Sequence, residues 1–181
     1  WDATSVIVDS NRNKRVIVSA AYEAGANYFD SVASFGSAVI RHFNYTSYNF
    51  PFPYKQVTVF NGEGGMEYTM IVNNGTAYSK AATLFVTMHE IAHSYFPFLT
   101  GINERKYSWI DEGLTSYLPL ETEKAMQSGY YPIERFVNNY RVGAGNENDI
   151  PLSVPSYQTR ERLYQYYTYM RSTIAFRMLE M

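Results

Sequence analysis

Two of the three histidines in this 181-residue chain, His89 and His93, lie four residues apart in the segment LFVTMHEIAHSYFPF, and Glu90 directly follows the first of them. In an α-helix, positions i and i+4 share one face, about 5–6 Å apart at Cβ, so both imidazoles can reach a single ion. Glu90 lies about a quarter of a turn round the helix, where it misses the ion but reaches a nearby water. This arrangement suits a zinc ion held by two histidines, with a carboxylate as the general base.

A catalytic zinc ion usually takes a third protein ligand and keeps one position open. The chain has no cysteine, so the third ligand is either the remaining histidine, His42, or a carboxylate. A third histidine shortly after the motif, as in metzincins, is excluded because Phe96 and Leu99 occupy those positions. A carboxylate on a following helix is therefore favoured. Glu112, 19 residues beyond His93, leaves room for one helix to end and a second to return.

The spacing of these residues resembles that of a known family. His-Glu-x-x-His, eighteen residues and then Glu, within SWIDEGLTSYL, is similar to the gluzincin zinc aminopeptidases of the aminopeptidase N type. The resemblance extends from about residue 43 to the end of the chain. It implies one Zn²⁺ ion held by His89, His93 and Glu112, with Glu90 as the general base. The alternative is a satisfied pair of helix histidines, a solvated Glu90 and an exposed helix glutamate.

A second segment, GGMEY from Gly64 to Tyr68, resembles the exopeptidase motif of the family, Gly-x-Met-Glu-Asn. By this resemblance Glu67 binds the free α-amino group of a peptide, since a fixed carboxylate facing an ammonium forms a charge-assisted hydrogen bond. Gly64 and Gly65 would let the substrate backbone lie against the strand edge. Tyr68 stands where the family has Asn, which affects local hydrogen bonding and substrate fit. An ordinary hairpin turn is the alternative for this segment.

A third segment, YMRSTIAFRML, is similar to the Tyr-x-Lys-Gly helix start of the family, and its register selects Tyr169. The resemblance implies that this phenol donates a hydrogen bond to the substrate carbonyl oxygen as it becomes an oxyanion. Arg171 and Ser172 replace the Lys and Gly of the family. Because the chain contains 18 tyrosines, a packing role for Tyr169 is the alternative.

Composition excludes several other classes of protein. Hydrophobic residues make up 46% of the chain and charged residues 18%, which predicts a globular fold, and the length suits one domain over residues 1–181. A net charge of −2 offers no basic face for nucleic acid. No apolar run approaches the roughly 20 residues that span a bilayer, and no signal peptide is recognisable. We therefore expect a soluble protein, cytoplasmic or exported.

The elements that must position these residues indicate an α+β fold, and the resemblance implies a thermolysin-like catalytic domain. Strands are predicted at SVIVD, QVTVF and EYTMIV, in a small and mostly antiparallel sheet. A helix is predicted over much of the second half of residues 16–43, followed by an aromatic loop over residues 44–55. The helix with the histidine pair should begin after Ser79 as N-cap and stop at Pro97.

A helical region should follow. One helix is predicted from near Ser108, with a break or kink at Pro119. Residues 159–181 are also predicted to be helical, and the lack of a glycine cap at Met181 is typical of a truncated helix.

The chain is thus expected to be a catalytic domain, or part of one, that trims peptides with a free N-terminus. Members of the family carry a β-rich domain before this region and a helical domain after it, so flanking domains are expected in the full-length protein. Two alternatives stay open at this point: a zinc endopeptidase, and a non-catalytic, zinc-stabilised peptide-binding module.

Overall fold

The computed structural model describes residues 1–10, 14–46, 49–77, 79–147 and 149–180. Residues 47 and 48 of the predicted aromatic loop, and Met181 at the end of the predicted last helix, lie outside the described residues. The chain divides into two compact units, Trp1–Leu99 and Thr100–Met181. A single domain over residues 1–181 stays a prediction. In the described parts of the chain, no helix combines the length and the apolar character needed to cross a membrane.

The first unit contains, among its described residues, five strands and two α-helices. The strands are β1 (Asp2–Ser10), β2 (Lys14–Tyr22), β3 (Gln56–Asn61), β4 (Met66–Tyr68) and β5 (Ile71–Asn74). The helices are α1 (Val32–Arg41) and α2 (Lys80–Ala92). A 3₁₀ turn over Phe29–Ser31 precedes α1, and a π-helical turn over His42–Thr46 follows it.

The five strands form one mixed sheet in the order β1-β2-β3-β5-β4. The predicted mostly antiparallel sheet is wrong, because β2 pairs with β3 and β3 with β5 in parallel, while only the pairs β1/β2 and β4/β5 are antiparallel. For the pair β3/β5, the physical reason is a turn at Thr69 and Met70, where Met70 adopts a φ of 66°. This turn splits the run EYTMIV into a hairpin, and its second half inserts next to β3.

One face of the sheet forms the core of the first unit. Side chains alternate between the two faces of a strand, and the cross-strand pairs Val18/Val57 and Val59/Val72 are almost fully buried. Helix α1 packs against β1 and β2, and α2 packs against β4 and β5. Glu67 pairs with Val72, so its side chain leaves β4 on the core face.

The predicted helix boundaries of this unit are largely confirmed. Helix α1 occupies the second half of residues 16–43, and β2 takes the beginning of that range. Ser79 caps α2 as predicted, because its Oγ accepts a hydrogen bond from the backbone N–H of Ala82 at 3.1 Å. The helix ends at Ala92, earlier than the predicted stop at Pro97, and turns fill the residues between them.

The described residues of the second unit are mainly helical. Its helices are α3 (Glu104–Tyr117), α4 (Leu120–Met126), α5 (Ile133–Arg141), α6 (Glu161–Gln165) and α7 (Ser172–Leu179). A 3₁₀ turn covers Ser156–Gln158, and a π-helical segment over Tyr166–Arg171 joins α6 directly to α7. The prediction of helix over residues 159–181 is thus confirmed in outline, with a wider turn in its middle.

Helix α3 begins earlier than predicted but contains a kink near the predicted start. Asn103 caps it by accepting a hydrogen bond from the Lys106 N–H at 3.1 Å. The backbone then leaves helical geometry at Tyr107, with φ −121° and ψ 46°, directly before Ser108. Pro119 separates α3 from α4, as its missing N–H and fixed φ predict.

A buried hydrogen bond fastens α2 to the sheet. The Asn74 amide at the end of β5 donates from Nδ2 to the Thr87 Oγ1 at 3.1 Å, and both residues are at most 1% exposed. Thr87 lies two residues before His89. This bond therefore holds the C-terminal half of α2 against the sheet.

We predict that Thr87→Val lowers the free energy of unfolding by about 1–3 kcal/mol, because the buried Asn74 amide loses the acceptor of its hydrogen bond. Thr76→Val is the matched control. Thr76 accepts a hydrogen bond from Asn61 at an exposed position, where water replaces the lost acceptor. Urea unfolding of both variants measures the difference, and equal effects would contradict the account.

Candidate metal site

The histidine pair lies at the C-terminal end of α2. His89 is in the last turn, and His93 is the C-cap residue with helical φ of −58° and ψ of −20°, so both share one helix face. Their Nε2 atoms are 3.2 Å apart, and the side chains are 5% and 1% exposed. Two ring nitrogens this close in a buried place must share either a proton or a cation.

The backbone after α2 fixes the tautomer of His93. Its Nδ1 lies 3.0 Å from the carbonyl oxygen of Phe96. A carbonyl oxygen only accepts hydrogen bonds, so Nδ1 carries the hydrogen and Nε2 of the neutral ring keeps a lone pair. A carbonyl in this position is the usual partner behind a metal-binding imidazole.

The donor set fits a zinc ion. Tetrahedral Zn–N bonds of about 2.0–2.1 Å place two ligand nitrogens about 3.3 Å apart, close to the distance observed here. His89, Glu90 and His93 each offer a ligand atom, and these atoms lie within 4.8 Å of one another. No such group in the described parts of the chain includes His42. His42 was the alternative third ligand in the sequence analysis. It lies in the π-helical turn after α1.

Gly65 lies against the Glu90 carboxylate. A Cβ added to Gly65 would be 2.6 Å from Glu90 Oε1, whereas a Cβ on Gly64 would meet no described atom within 4 Å. The sequence suggested that both glycines contact the substrate backbone. That contact stays a prediction. In the structure, the missing side chain of Gly65, just before β4, leaves room for the buried Glu90 carboxylate.

Glu67 and Tyr68 leave β4 on opposite faces. Glu67 is half-buried on the core face, on which α2 packs, while Tyr68 is 51% exposed and pairs with Ile71 on the other face. The Tyr68 side chain, at the position where the resembled motif has Asn, therefore points away from Glu67.

In the second unit, Glu112 lies on α3 and is 8% exposed, next to Asp111 at 3%. Gly113 follows at a close helix crossing, where an added Cβ would be 2.6 Å from the Cβ of Ser172 on α7. The alternative interpretation of Glu112 was an exposed helix glutamate. The burial of this side chain excludes that alternative.

Tyr169 lies half-buried in the π-helical segment. Its ring packs edge-on against Tyr164, with centroids 6.3 Å apart. Burial, together with the negative charges of Glu112 and Asp111, raises the pKa of the Tyr164 phenol to about 12. Tyr164 therefore links the surroundings of Tyr169 to those of Glu112.

An ion pair holds the end of the π-helical segment. Arg171 Nη1 lies 2.8 Å from Asp149 Oδ1, and the Tyr140 hydroxyl and the Gly145 N–H both donate to Asp149 Oδ2 at 2.9 Å. Burial raises the pKa of Asp149, but these two hydrogen bonds and the Arg171 charge outweigh it and lower the pKa. Sequence reasoning missed this anchor, as well as the Phe96 carbonyl and the Gly65 contact, since none has a local sequence signal.

Comparisons with known proteins bear on the fold. No protein-family profile matches the chain, and neither does any curated protein. Solved structures do match, over 99% of this chain. They include the M1 zinc metallopeptidase from Deinococcus radiodurans (16% identity, TM-score 0.69), its mutant bound to a Tyr-Ser-Ala substrate (15%, 0.71) and a two-domain M1 zinc metallopeptidase mutant bound to L-tryptophan (16%, 0.70).

The chain shares the fold of the matched part of these M1 zinc metallopeptidases. At 15–16% identity the likeness concerns the fold alone, an α+β arrangement of a five-stranded sheet and helices. The chain spans about 40% of the length of these structures.

We predict that Gly65→Ala displaces the Glu90 carboxylate, because the new methyl group needs the space of Oε1. Gly64→Ala is the control, since its methyl group enters open space. Crystal structures of the two variants should show a moved Glu90 side chain in the first and an unmoved one in the second. An unmoved Glu90 in both would mean that the close approach of Gly65 is not fixed.

We predict that Asp149→Asn lowers the free energy of unfolding at neutral pH and that this difference vanishes in acid. A carboxyl group whose folded-state pKa is lowered stabilises the protein above its unfolded-state pKa of about 3.9 and loses that effect as pH falls through the folded-state value. Urea unfolding between neutral and acid pH measures the difference. Asp9→Asn, at an exposed ion pair with Arg15, is the control. A difference that grows towards acid pH would contradict the assignment.

Proposed function

We propose that the chain is the catalytic part of a zinc aminopeptidase, which hydrolyses the N-terminal bond of peptides. The observation that carries the proposal is the pair of buried imidazole nitrogens, 3.2 Å apart and beside the Glu90 carboxylate. The M1 metallopeptidase fold supports it, as does the resemblance to gluzincins of the aminopeptidase N type, a thermolysin-like class. The matched structures are longer, and we propose flanking domains for the full-length protein.

We propose one zinc ion with three protein ligands. His89 and His93 supply two nitrogens, and the tautomer of His93 is already set by the Phe96 carbonyl. Glu112 is proposed as the third ligand from its sequence spacing, and its burial suits a carboxylate with a charged partner. When bound, zinc polarises the scissile carbonyl and lowers the pKa of a water molecule.

Glu90 is the proposed general base. Its carboxylate is 6% exposed, which separates it from bulk water, and Gly65 provides the space that it occupies. A proton taken from the attacking water therefore stays available for the leaving amine, so one group serves as base and then as acid.

Tyr169 and Glu67 complete the proposed mechanism. The Tyr169 phenol would donate a hydrogen bond to the carbonyl oxygen as negative charge develops there. Glu67, on the core face of β4, would bind the α-ammonium group and so select the first peptide bond. A peptide substrate agrees with the Tyr-Ser-Ala bound to the neighbouring M1 mutant.

We predict that the native chain binds one zinc ion and releases the first residue of an aminoacyl substrate. Glu90→Gln should keep the zinc and lower kcat by about 10²–10⁴-fold, since the amide cannot take the proton. Tyr169→Phe should lower kcat by about 10²–10³-fold, as loss of an oxyanion donor does. Glu63→Gln and Tyr157→Phe, both at exposed positions, are the matched controls.

Peptides with free and with acetylated N-termini separate the remaining functions. An aminopeptidase cleaves only the free peptide, and Glu67→Gln raises its KM. Cleavage of both peptides would show an endopeptidase. Zinc binding without turnover of either peptide would leave a peptide-binding module, and a Glu90→Gln variant as fast as the native chain would refute the mechanism.

A further inference from the structure

A group of buried hydroxyls joins α3 to the segment that carries Tyr169. The Ser108 Oγ lies 3.3 Å from the Thr168 Oγ1 and 3.4 Å from the Tyr167 hydroxyl, and it also hydrogen-bonds the Ser156 Oγ. Ser108, Tyr167 and Thr168 are at most 1% exposed, and Ser156 is 9% exposed. We call these four residues the hydroxyl cluster.

The place of this cluster in the sequence connects two proposed site residues. Ser108 lies one helical turn before Glu112 on α3, and Thr168 directly precedes Tyr169. A hydrogen bond between Ser108 and Thr168 therefore couples the position of the Tyr169 backbone to the helix that holds Glu112.

The phenol of Tyr167 shows how closely the cluster is packed. Burial raises its pKa, but the hydroxyls of Ser108, Ser156 and their neighbours around the phenol oxygen outweigh burial and bring the pKa below its usual value. A buried hydroxyl that loses its hydrogen-bond partner destabilises the folded state, because water does not replace the partner. The observed hydrogen-bonded arrangement of the four side chains is therefore favoured over other side-chain conformations.

A second contact fixes the other side of the same segment. Ser172 packs directly on Gly113, the residue after Glu112, and its hydroxyl donates to the Thr168 carbonyl. Wide π-helical turns occur often at functional sites, and the Ser172 hydroxyl supplies a donor to a carbonyl within this one. Tyr169 is thus held between a hydroxyl contact before it and a helix crossing after it.

We infer that Thr168 and Ser108 are positioning residues, which set the Tyr169 phenol relative to Glu112 through their hydroxyl contact. The inference rests on the proposed function, in which Tyr169 donates to the carbonyl oxygen. Neither hydroxyl is assigned a contact with the substrate. Both act through Tyr169.

A matched pair of variants tests the inference. Thr168 and Thr173 are both fully buried in the continuous helical stretch from α6 to α7. The Thr168 hydroxyl meets Ser108, whereas the Thr173 hydroxyl has no hydrogen-bond partner among the residues that the structure describes. Thr168→Val should lower kcat about tenfold with KM and zinc content unchanged, because small displacements of a donor cost much of its effect. Thr173→Val should leave kcat unchanged.

A double-mutant cycle separates positioning from a general loss of structure. In the Tyr169→Phe background, Thr168→Val should cause no further loss of kcat, since the group that it positions is already gone. Ser108→Ala should repeat this behaviour and serves in place of Thr168→Val if that variant does not fold. An equal loss in both backgrounds, or no loss in the native background, overturns the inference.

A spectroscopic measurement that needs no catalytic turnover tests the positioning of Tyr169 independently of the proposed function. With 3-fluorotyrosine placed only at position 169, Thr168→Val should shift or broaden the ¹⁹F resonance, and Thr173→Val should leave it in place. A chain that hydrolyses no peptide refutes the proposed function while this spectrum still tests the positioning. An unchanged resonance in Thr168→Val overturns the inference, whatever the activity.

Discussion

The proposed site depends on holding two imidazole nitrogens within 3.2 Å of each other in a buried place. This is unfavourable for two lone pairs and becomes favourable only with a shared proton or cation. Several contacts hold the arrangement. Ser79 caps the start of α2, Asn74 fastens its middle to the sheet, and the Phe96 carbonyl orients His93. Gly65 leaves the space beside Glu90.

The second unit shows a different way of holding a residue. Tyr169 lies in a π-helical segment, whose wide turn has poorer intrinsic support than an α-helix. Three contacts of neighbouring residues stabilise this segment. Thr168 meets the hydroxyl of Ser108, Ser172 packs on Gly113, and Arg171 pairs with Asp149. The sequence has Arg171 and Ser172 where the motif that it resembles has Lys and Gly, and both residues make specific contacts here.

Local signals predicted much of this structure, whereas long-range contacts did not follow from sequence. The Ser79 cap and the break at Pro119 depend on neighbouring residues alone, so the pattern was sufficient. The prediction for the strands QVTVF and EYTMIV was wrong, because β3 pairs with β5 in parallel. This pairing follows from a turn at Met70, and methionine is not a residue type typical of a turn with positive φ. The Asp149 anchor joins residues 22 positions apart and has no local signature.

The most direct test of the account is the coordination of zinc in the loaded chain, measured by X-ray absorption at the zinc edge together with metal content. The account predicts one ion per chain with two imidazole nitrogens at about 2.0–2.1 Å and one carboxylate oxygen at about 2.0–2.2 Å. The nitrogen signal should fall by half in His93→Ala, and the carboxylate signal should be lost in Glu112→Gln. Substoichiometric zinc, or a spectrum unchanged by the loss of His93, would contradict the central claim.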